Sequence, residues 1–299
     1  MYLQNNEFEY CCGKPNKVQY NIAHNPVPIN LLPEIRDSIE RLLWYVPCID
    51  SVQSLCHPLI DDPLYSEPIF DFILETMKIS KIKDVCFEPI EALAEYNEFY
   101  NNEICTSCQK IILTKTKQET AVRAMLRHIR NAIAHGSFTV VNDLLFFKDT
   151  KTIKNVRHTT AIIKINANSL KRAIELISDN KGVTQEQIIV KAFEYLGFHV
   201  QRKARINNYL VDMIIQKDGM YYALEIKESV QKKLGFQDPI VDREIKALSM
   251  FISEGITPVL IFDKMDVSDK AKERLKQEGI ILLDKKEISK LLEVKELLF

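Results

Sequence analysis

The sequence lacks the segments that would mark a secreted or membrane-spanning protein. It has no positively charged, apolar stretch near its first residues and no run of eighteen apolar residues. It also lacks an excess of charge, because 40 Lys and Arg residues stand against 41 Asp and Glu residues. We therefore expect a soluble, cytoplasmic protein that does not bind membranes. Any contact with DNA or RNA must come from local basic clusters such as residues 202–205.

The chain also lacks internal repeats and low-complexity tracts, and its 299 residues are enough for two hydrophobic cores. Turn-forming residues at 178–182 separate a helix that ends at Ile177 from a capping box that begins at Thr184. The sequence therefore predicts two domains, residues 1–180 and residues 181–299. An Asn- and Pro-rich segment at the start of the first domain is expected to be irregular.

The segment 209–227 has the pattern of two strands joined by a tight turn. Apolar runs rich in β-branched residues flank an Asp-Gly pair at 218–219, and both residue types tolerate the positive φ that a two-residue turn requires. Such a turn fixes the register. If the two residues flanking the turn pair with each other, Asp212 lies opposite Glu225, and Lys227 lies on the same face as Glu225.

Two carboxylates directly opposite each other destabilise a sheet, and a divalent cation between them removes that conflict. Mg²⁺ is bound by one or two carboxylates plus substrate phosphate, and it lowers the pKa of a bound water. The pattern predicts a phosphodiesterase in which Asp212 and Glu225 bind Mg²⁺ or Mn²⁺ and Lys227 positions the attacking water or the phosphate. A solvated hairpin edge with a weak surface ion pair is the alternative.

A predicted helix upstream of the hairpin supplies a further acid. The helix follows a capping box, and Glu186 lies on or beside its apolar stripe. A first-turn acid favoured by the helix dipole is the alternative role for this residue. From this helix to the end of the chain, the predicted order of elements is αβββαβαβα.

Residues 182–298 resemble the PD-(D/E)xK nuclease superfamily, in particular its Mrr-type restriction endonuclease branch. The resemblance rests on Glu186, on Asp212 followed by Glu225-Ile-Lys227, and on the closing strand and leucine-rich helix. It implies a restriction-endonuclease-like α/β fold with a central mixed sheet, and cleavage of DNA with Mg²⁺. It also implies that the two facing acids bind metal, that the lysine is catalytic and that the helix acid is accessory. The usual proline before the first acid is a valine here, and the superfamily includes RNA-processing and inactive members.

A second candidate site lies on an amphipathic helix that ends at His135. A capping box at 116–119 precedes this helix, and Gly136 stops it. Arg130, Asn131 and His135 lie off its apolar stripe. Histidine acts as an acid or base near neutral pH and arginine binds phosphate, which suffices for metal-free RNA cleavage through the ribose 2′-hydroxyl. The alternative is a histidine that stabilises a helix C-terminus beside solvated arginines.

The segment Arg130-Asn-Ala-Ile-Ala-His135 resembles the R-x4-6-H motif of HEPN domains, and the residues after it are similar to the short hairpin of family members. The resemblance covers roughly residues 31–178. It implies an all-α helical bundle with a short β-hairpin and a homodimer in which two motifs meet. It frequently implies ribonuclease activity, although many HEPN domains only dimerise or act as sensors.

Seven cysteines, an odd number in a chain without a secretion signal, indicate reduced thiols. Cys11, Cys12, Cys105 and Cys108 could in principle form a four-sulfur zinc site. Adjacent cysteines are not the usual zinc half-site, however, so the expectation is that Cys105 and Cys108 lie near a helix–helix connection.

Together these features predict a nuclease of the prokaryotic defence or restriction type. Its C-terminal domain cleaves DNA with Mg²⁺, and its HEPN domain dimerises and is a candidate for metal-independent RNA cleavage. One alternative is a HEPN ribonuclease whose C-terminal domain only binds nucleic acid. The other is a non-enzymatic dimeric nucleic-acid sensor, against which the presence of both complete residue sets argues.

Overall fold

The computed structural model describes residues 7–14, 16–20, 22, 33–44, 65–117, 119–178, 184–207, 209–227, 233–234, 239–262 and 266–293. The chain forms two compact units, unit 1 (residues 1–184) and unit 2 (residues 185–299), and each is described by itself. The predicted boundary falls among residues 179–183, which lie outside the described residues. No helix in the described part of the chain is both long and apolar enough to cross a bilayer.

Unit 1 is built around a β-sheet. Its strands are β1 (Lys17–Gln19), β2 (Val85–Phe87), β3 (Glu103–Cys105), β4 (Lys110–Leu113), β5 (Phe138–Val141), β6 (Leu144–Ile153) and β7 (Val156–Asn166). Five of them form a sheet in the order β2-β4-β7-β6-β5, in which only β2 and β4 pair in parallel. The short strands β1 and β3 pair separately. The prediction of an all-α N-terminal bundle is therefore wrong: the predicted hairpin is β5 and β6, and three further strands extend it to a sheet.

The helices of unit 1 are α1 (Pro33–Trp44), α2 (Ser66–Met77), α3 (Lys81–Asp84), α4 (Leu93–Phe99), α5 (Ala121–Ala134) and α6 (Ala167–Ser178). The helices α1, α2, α5 and α6 contact one another in a ring, and α5 and α6 also contact the sheet. Because side chains alternate between the two faces of a strand, the opposite face is free to form a second core. There Ile112, Phe146 and Ile162 pack with Tyr96 of α4 and with Tyr10 near the start of the chain.

Unit 2 is a mixed α/β structure. Its strands are β8 (His199–Ile206), β9 (Tyr209–Lys217), β10 (Met220–Ile226), β11 (Lys233–Leu234), β12 (Thr257–Phe262), β13 (Asp266–Val267) and β14 (Ile281–Asp284). Its helices are α7 (Gln185–Tyr195), α8 (Pro239–Ser253), α9 (Asp269–Gln277) and α10 (Lys285–Glu293). The central sheet has the order β14-β12-β10-β9-β8. The strands β8, β9 and β10 are antiparallel neighbours, whereas β10, β12 and β14 are parallel, so β10 lies where the sheet changes direction.

Candidate functional site

The hairpin of β9 and β10 places two carboxylates at one end of the sheet. Lys217 pairs with Met220, as the turn chemistry predicts, and the pairing continues along both strands as far as Met213 and Leu224. Asp212 and Glu225 are the next residue on each strand. The turn residues at 218–219 both have positive φ. The backbone N–H of Ile226 donates a hydrogen bond of 2.9 Å to Asp212 Oδ2. The hairpin therefore brings together the two acids that the sequence pairs.

Lys227 follows β10 and joins this end of the sheet. Its backbone N–H donates to the carbonyl oxygen of Ile261 in β12 over 2.9 Å. Its ammonium group lies 3.0 Å from Glu225 Oε1 and 3.2 Å from Glu244 Oε2. Burial acts to lower the pKa of Lys227, but the hydrogen bonds and charges of Glu225 and Glu244 outweigh burial and raise that pKa. The lysine is therefore a cation at neutral pH and donates hydrogen bonds.

The sequence did not point to Glu244, which lies in α8 with only 3% of its side chain exposed. Its second carboxylate oxygen lies 3.0 Å from the guanidinium of Arg243. A signal for it exists in hindsight: Val241, Glu244 and Leu248 are all buried and follow helical spacing, so an acid occupies a core position of an amphipathic helix. A buried acid needs a cationic partner, and Lys227 supplies it.

A second lysine joins the predicted helix acid to the hairpin. Lys203 of β8 lies 2.7 Å from Asp212 Oδ1 and 3.7 Å from Glu186 Oε2. The hydrogen bond that Lys203 donates to Asp212 raises the pKa of Lys203. Arg202 donates to Glu186 Oε1 over 3.0 Å. Each of the two lysines therefore bridges two acids: Lys203 joins Glu186 to Asp212, and Lys227 joins Glu225 to Glu244. The contacts of Lys203 were not predicted.

The donor set offers one clear position for a cation. Glu225 Oε2 is buried and has no hydrogen-bond partner among the described residues. A buried carboxylate oxygen without a partner is costly, and a metal ion would satisfy it. Both oxygens of Asp212 already have partners, the ammonium of Lys203 and a backbone N–H. The residues present thus fit a divalent cation. In this structure Lys203 is the cationic partner of Asp212.

The second candidate site lies on α5. This helix begins at Ala121, with the hydroxyl of Thr120 accepting a hydrogen bond from Arg123 N, so the predicted cap at 116–119 is wrong. Glu119 accepts a long hydrogen bond of 3.5 Å from the N–H of Thr116, ahead of the helix, and also pairs with Arg127 over 2.6 Å.

Two of the three predicted motif residues reach one open cavity of about 460 Å³ in unit 1. Asn131 and His135 line it, together with Lys151. Asn131 also donates to Asp149 Oδ2 over 3.3 Å. Arg130 is half-buried and is not among the described residues that line the cavity.

The same cavity contains a histidine that the sequence did not single out. His128 is 1% exposed, and its Nδ1 lies 2.7 Å from Asp149 Oδ2 while its Nε2 lies 2.9 Å from the carbonyl oxygen of Thr114. Burial acts to raise the pKa of the Asp149 carboxyl, but the hydrogen bond and charge of His128 outweigh it and hold that pKa below its ordinary value. No local pattern reveals this pair, because Asp149 lies on β6 and meets α5 only in the folded unit.

Comparisons with known proteins agree with part of this picture. Residues 66–183 match the family model described as HEPN pEK499 p136. This match confirms the predicted resemblance of the N-terminal region to HEPN domains. No curated protein matches the chain.

Among solved structures, the chain is similar to a protein of unknown function, AF1548, at 21% identity and a TM-score of 0.31, covering 37% of this chain and 65% of that one. It is similar to a repair endonuclease from Pyrococcus abyssi at 15% identity and a TM-score of 0.25, covering 61% and 75%. It is also similar to EndoMS in complex with double-stranded DNA at 13% identity and a TM-score of 0.24, covering 49% and 62%. Endonucleases are thus among its structural neighbours, at TM-scores too low to identify a fold. The chain spans less than two thirds of the length of AF1548 and of EndoMS.

Proposed function

We propose that this protein is a nuclease of the defence or restriction type whose unit 2 hydrolyses DNA phosphodiester bonds with Mg²⁺ or Mn²⁺. The observation that carries the proposal is the convergence of Asp212, Glu225 and Lys227, with Glu186 alongside and one oxygen of Glu225 without a partner. A hairpin built only for stability gains nothing from facing acids. A metal-dependent hydrolytic site uses such a pair of acids to bind its cation.

Each side chain has a distinct part in this reaction. Asp212 and Glu225 would hold the metal ion, which supplies Lewis acidity and lowers the pKa of the attacking water. Lys227 is held by Glu225 and Glu244 and carries a raised pKa, so it donates hydrogen bonds to the water or to a phosphate oxygen rather than acting as a base. Glu244 positions this lysine. Glu186 orients the cationic groups of residues 202 and 203, which neutralise substrate phosphates.

The test uses the full chain, dialysed free of metal, with linear and supercoiled DNA and increasing Mg²⁺ or Mn²⁺. Cleavage that rises with metal and disappears in Glu225→Ala supports the proposal. Asp218→Asn is the matched control, because it removes a carboxylate from the same hairpin and asparagine tolerates the positive φ of that turn. Cleavage that is unchanged in Glu225→Ala would contradict the proposal, and binding of DNA without any cleavage would favour the alternative in which unit 2 only binds nucleic acid.

A second activity, metal-independent RNA cleavage by unit 1, is favoured by the cavity that Asn131 and His135 share with Lys151. In this reaction a base removes the proton of the ribose 2′-hydroxyl, the 2′-oxygen attacks phosphorus, and the 5′-oxygen leaves with a proton from an acid. His135 would serve as acid or base, and Arg130 would bind the phosphate if a second copy of the chain brings it to the site.

Arg130 is not among the described residues that line the cavity of a single chain, although Arg127 is, so a ribonuclease site that includes the motif arginine requires a homodimer. Sedimentation of the full chain at micromolar concentration is expected to give a dimer. A monomer that does not change on addition of RNA would contradict both the dimer and the composite site. It would leave the hairpin of unit 2 as the catalytic site under test.

A further inference from the structure

Four cysteines from two distant parts of the sequence converge in unit 1. The sulfur atoms of Cys11, Cys12, Cys105 and Cys108 all lie within 4.8 Å of one another, and those of Cys12 and Cys105 are 3.7 Å apart. Four thiolates arranged as a tetrahedron around one Zn²⁺, with Zn–S bonds of about 2.3 Å, have sulfur atoms about 3.8 Å apart. The observed spacing therefore fits one ion with little movement of the side chains.

Backbone hydrogen bonds hold the two halves of this cluster together. Strand β1, which follows the first two cysteines, pairs antiparallel with β3, which ends at Cys105. Past the end of this ladder, the N–H of Thr106 donates to the carbonyl oxygen of Asn16 over 3.0 Å, and the Asn16 side chain donates to the Ser107 hydroxyl over 2.8 Å. The N–H of Ser107 also donates to the sulfur of Cys105 over 3.4 Å. The prediction that Cys105 and Cys108 lie near a helix–helix connection is wrong, since Cys105 is the last residue of β3 and Cys108 lies between β3 and β4.

A buried lysine supplies the charge that a four-thiolate metal site needs. Lys164 is 0% exposed, and its ammonium group donates to Cys108 Sγ over 3.2 Å and to the carbonyl oxygen of Cys105 over 2.7 Å. Among the described residues it has no carboxylate partner within ion-pair distance. Lys110, directly opposite in the sheet and equally buried, has one: Asp84 Oδ1 at 2.7 Å. A buried ammonium without an anion costs several kcal/mol.

This contrast between neighbouring lysines distinguishes a metal site from four protonated thiols. Neutral thiols leave the charge of Lys164 uncompensated, whereas Zn²⁺ with four thiolates carries a net charge of about −2. The sulfur atoms of Cys105 and Cys108 also accept hydrogen bonds from N–H donors, and such bonds stabilise a thiolate ligand. Both the geometry and the charge of the surroundings therefore favour a bound cation.

We propose that Cys11, Cys12, Cys105 and Cys108 bind one Zn²⁺ in a closed structural site that fastens the segment from residue 7 to residue 20 to unit 1. All four ligands come from the protein, so the site has no open position for a substrate and takes no part in phosphodiester hydrolysis. Its role is to hold the aromatic residues of that segment, including Tyr10 stacked 4.9 Å from Tyr96, against the second core of unit 1.

The test measures metal content and needs no nucleic acid, so its outcome is independent of the proposed nuclease activity. The full chain is purified in reductant without chelator or added metal, and its zinc content is measured by inductively coupled plasma mass spectrometry. We expect about one zinc per chain, near-background zinc in Cys108→Ser, and unchanged zinc in Cys86→Ala. Cys86 is the matched control because it is a buried cysteine of the same unit whose thiol bonds to Tyr96 and Glu88 instead.

Because a ligand variant can fail to fold, cobalt substitution of the unaltered chain provides a second measurement. Co²⁺ should give the absorption bands of a tetrahedral four-thiolate site, and added Zn²⁺ should remove them. Zinc near background together with no cobalt bands would overturn the proposal. So would full zinc occupancy in Cys108→Ser, iron as the stoichiometric metal, or a disulfide between Cys12 and Cys105 in freshly purified protein.

Discussion

Within the part of the chain that the structure describes, each unit has one buried group whose interactions are incomplete, an acid in unit 2 and a lysine in unit 1. In unit 2 each lysine of the site is shared between two carboxylates, yet Glu225 Oε2 is buried and has no hydrogen-bond partner among the residues that the structure describes. In unit 1 the ammonium group of buried Lys164 donates to a sulfur and a carbonyl oxygen and lies 5.7 Å from the centroid of the Tyr100 ring, with no carboxylate in ion-pair distance among the described residues. The proposals above assign a partner to each group: a cation to Glu225 Oε2, whose companion oxygen is paired with Lys227, and an anionic metal–thiolate cluster to Lys164. On these proposals the metal of unit 2 would be catalytic and that of unit 1 structural.

The largest expected effect tests the unit 2 side of this comparison. Asp212→Ala, Glu225→Ala and Lys227→Ala should each abolish metal-dependent DNA cleavage, a loss on the order of 100-fold or more for Lys227. In Asp212→Ala and Glu225→Ala, thermal unfolding should stay near the parent temperature or rise, because removing one of two facing acids relieves their repulsion. Lys227→Ala should unfold at a lower temperature, because buried Glu244 loses that cationic partner. Gel-based cleavage assays and calorimetry measure the two quantities. A cleavage rate in Asp212→Ala equal to that of Asp218→Asn would sink the assignment.

A crossed pair of variants separates the two proposed activities. His135→Ala should lower metal-independent RNA cleavage by about 10²-fold or more and leave DNA cleavage intact, since DNA lacks the 2′-hydroxyl. Glu225→Ala should do the reverse. The RNA assay is run both in dialysed, metal-free buffer and in EDTA, so that loss of a structural zinc is not mistaken for loss of a catalytic metal. RNA cleavage that persists in His135→Ala would leave unit 1 as a dimerisation or sensing module.

A smaller effect is expected from the residue that positions Lys227. Glu244→Gln removes one of the two acids that raise the pKa of this lysine, so that pKa should fall. Lys227 is needed as a cation, hence activity is kept below its pKa and lost above it, and the alkaline fall in kcat should move to lower pH. The rate at neutral pH should drop by about 10- to 100-fold. Asp242→Asn, an exposed acid on the same helix, is the control. A reduced rate with an unchanged pH profile would indicate a purely structural role.

The smallest effect concerns stability in unit 1. The pKa of Asp149 is depressed because the hydrogen bond and charge of His128 outweigh burial. Its contribution to stability is therefore present above the unfolded-state pKa of about 3.9 and is lost as the pH falls through the lower folded-state value. Asp149→Asn should cost about 1–3 kcal/mol at pH 7 and progressively less below pH of about 4. Urea unfolding measures this, with Asp143→Asn as the control. A cost that does not change with pH would show that packing, not charge, dominates.

Local signals explain which parts of the structure could be predicted. The turn at 218–219 needs only two residues with positive φ, and the register of the hairpin follows by counting outward. In the sheet of unit 1, β6 and β7 are joined by a comparable two-residue turn, Lys154-Asn155, whose residues both have positive φ, but β2 and β4 are only three and four residues long and carry no such signal. Lys110 and Lys164 also lie buried on its strands, where a sequence pattern predicts exposed residues. Glu244 joins the site only through tertiary packing, which no spacing along the chain encodes.

The hairpin that positions the acids also has a far end. The turn at 218–219 lies about six residues from Glu225, or roughly 20 Å along an extended strand. Met220 and Tyr221 next to the turn are exposed. A fluorophore or short epitope attached at this turn would therefore report on the hairpin from a position well separated from the two acids. The turn is thus a suitable labelling position for measuring nucleic-acid binding in variants such as Glu225→Ala, which are expected not to cleave.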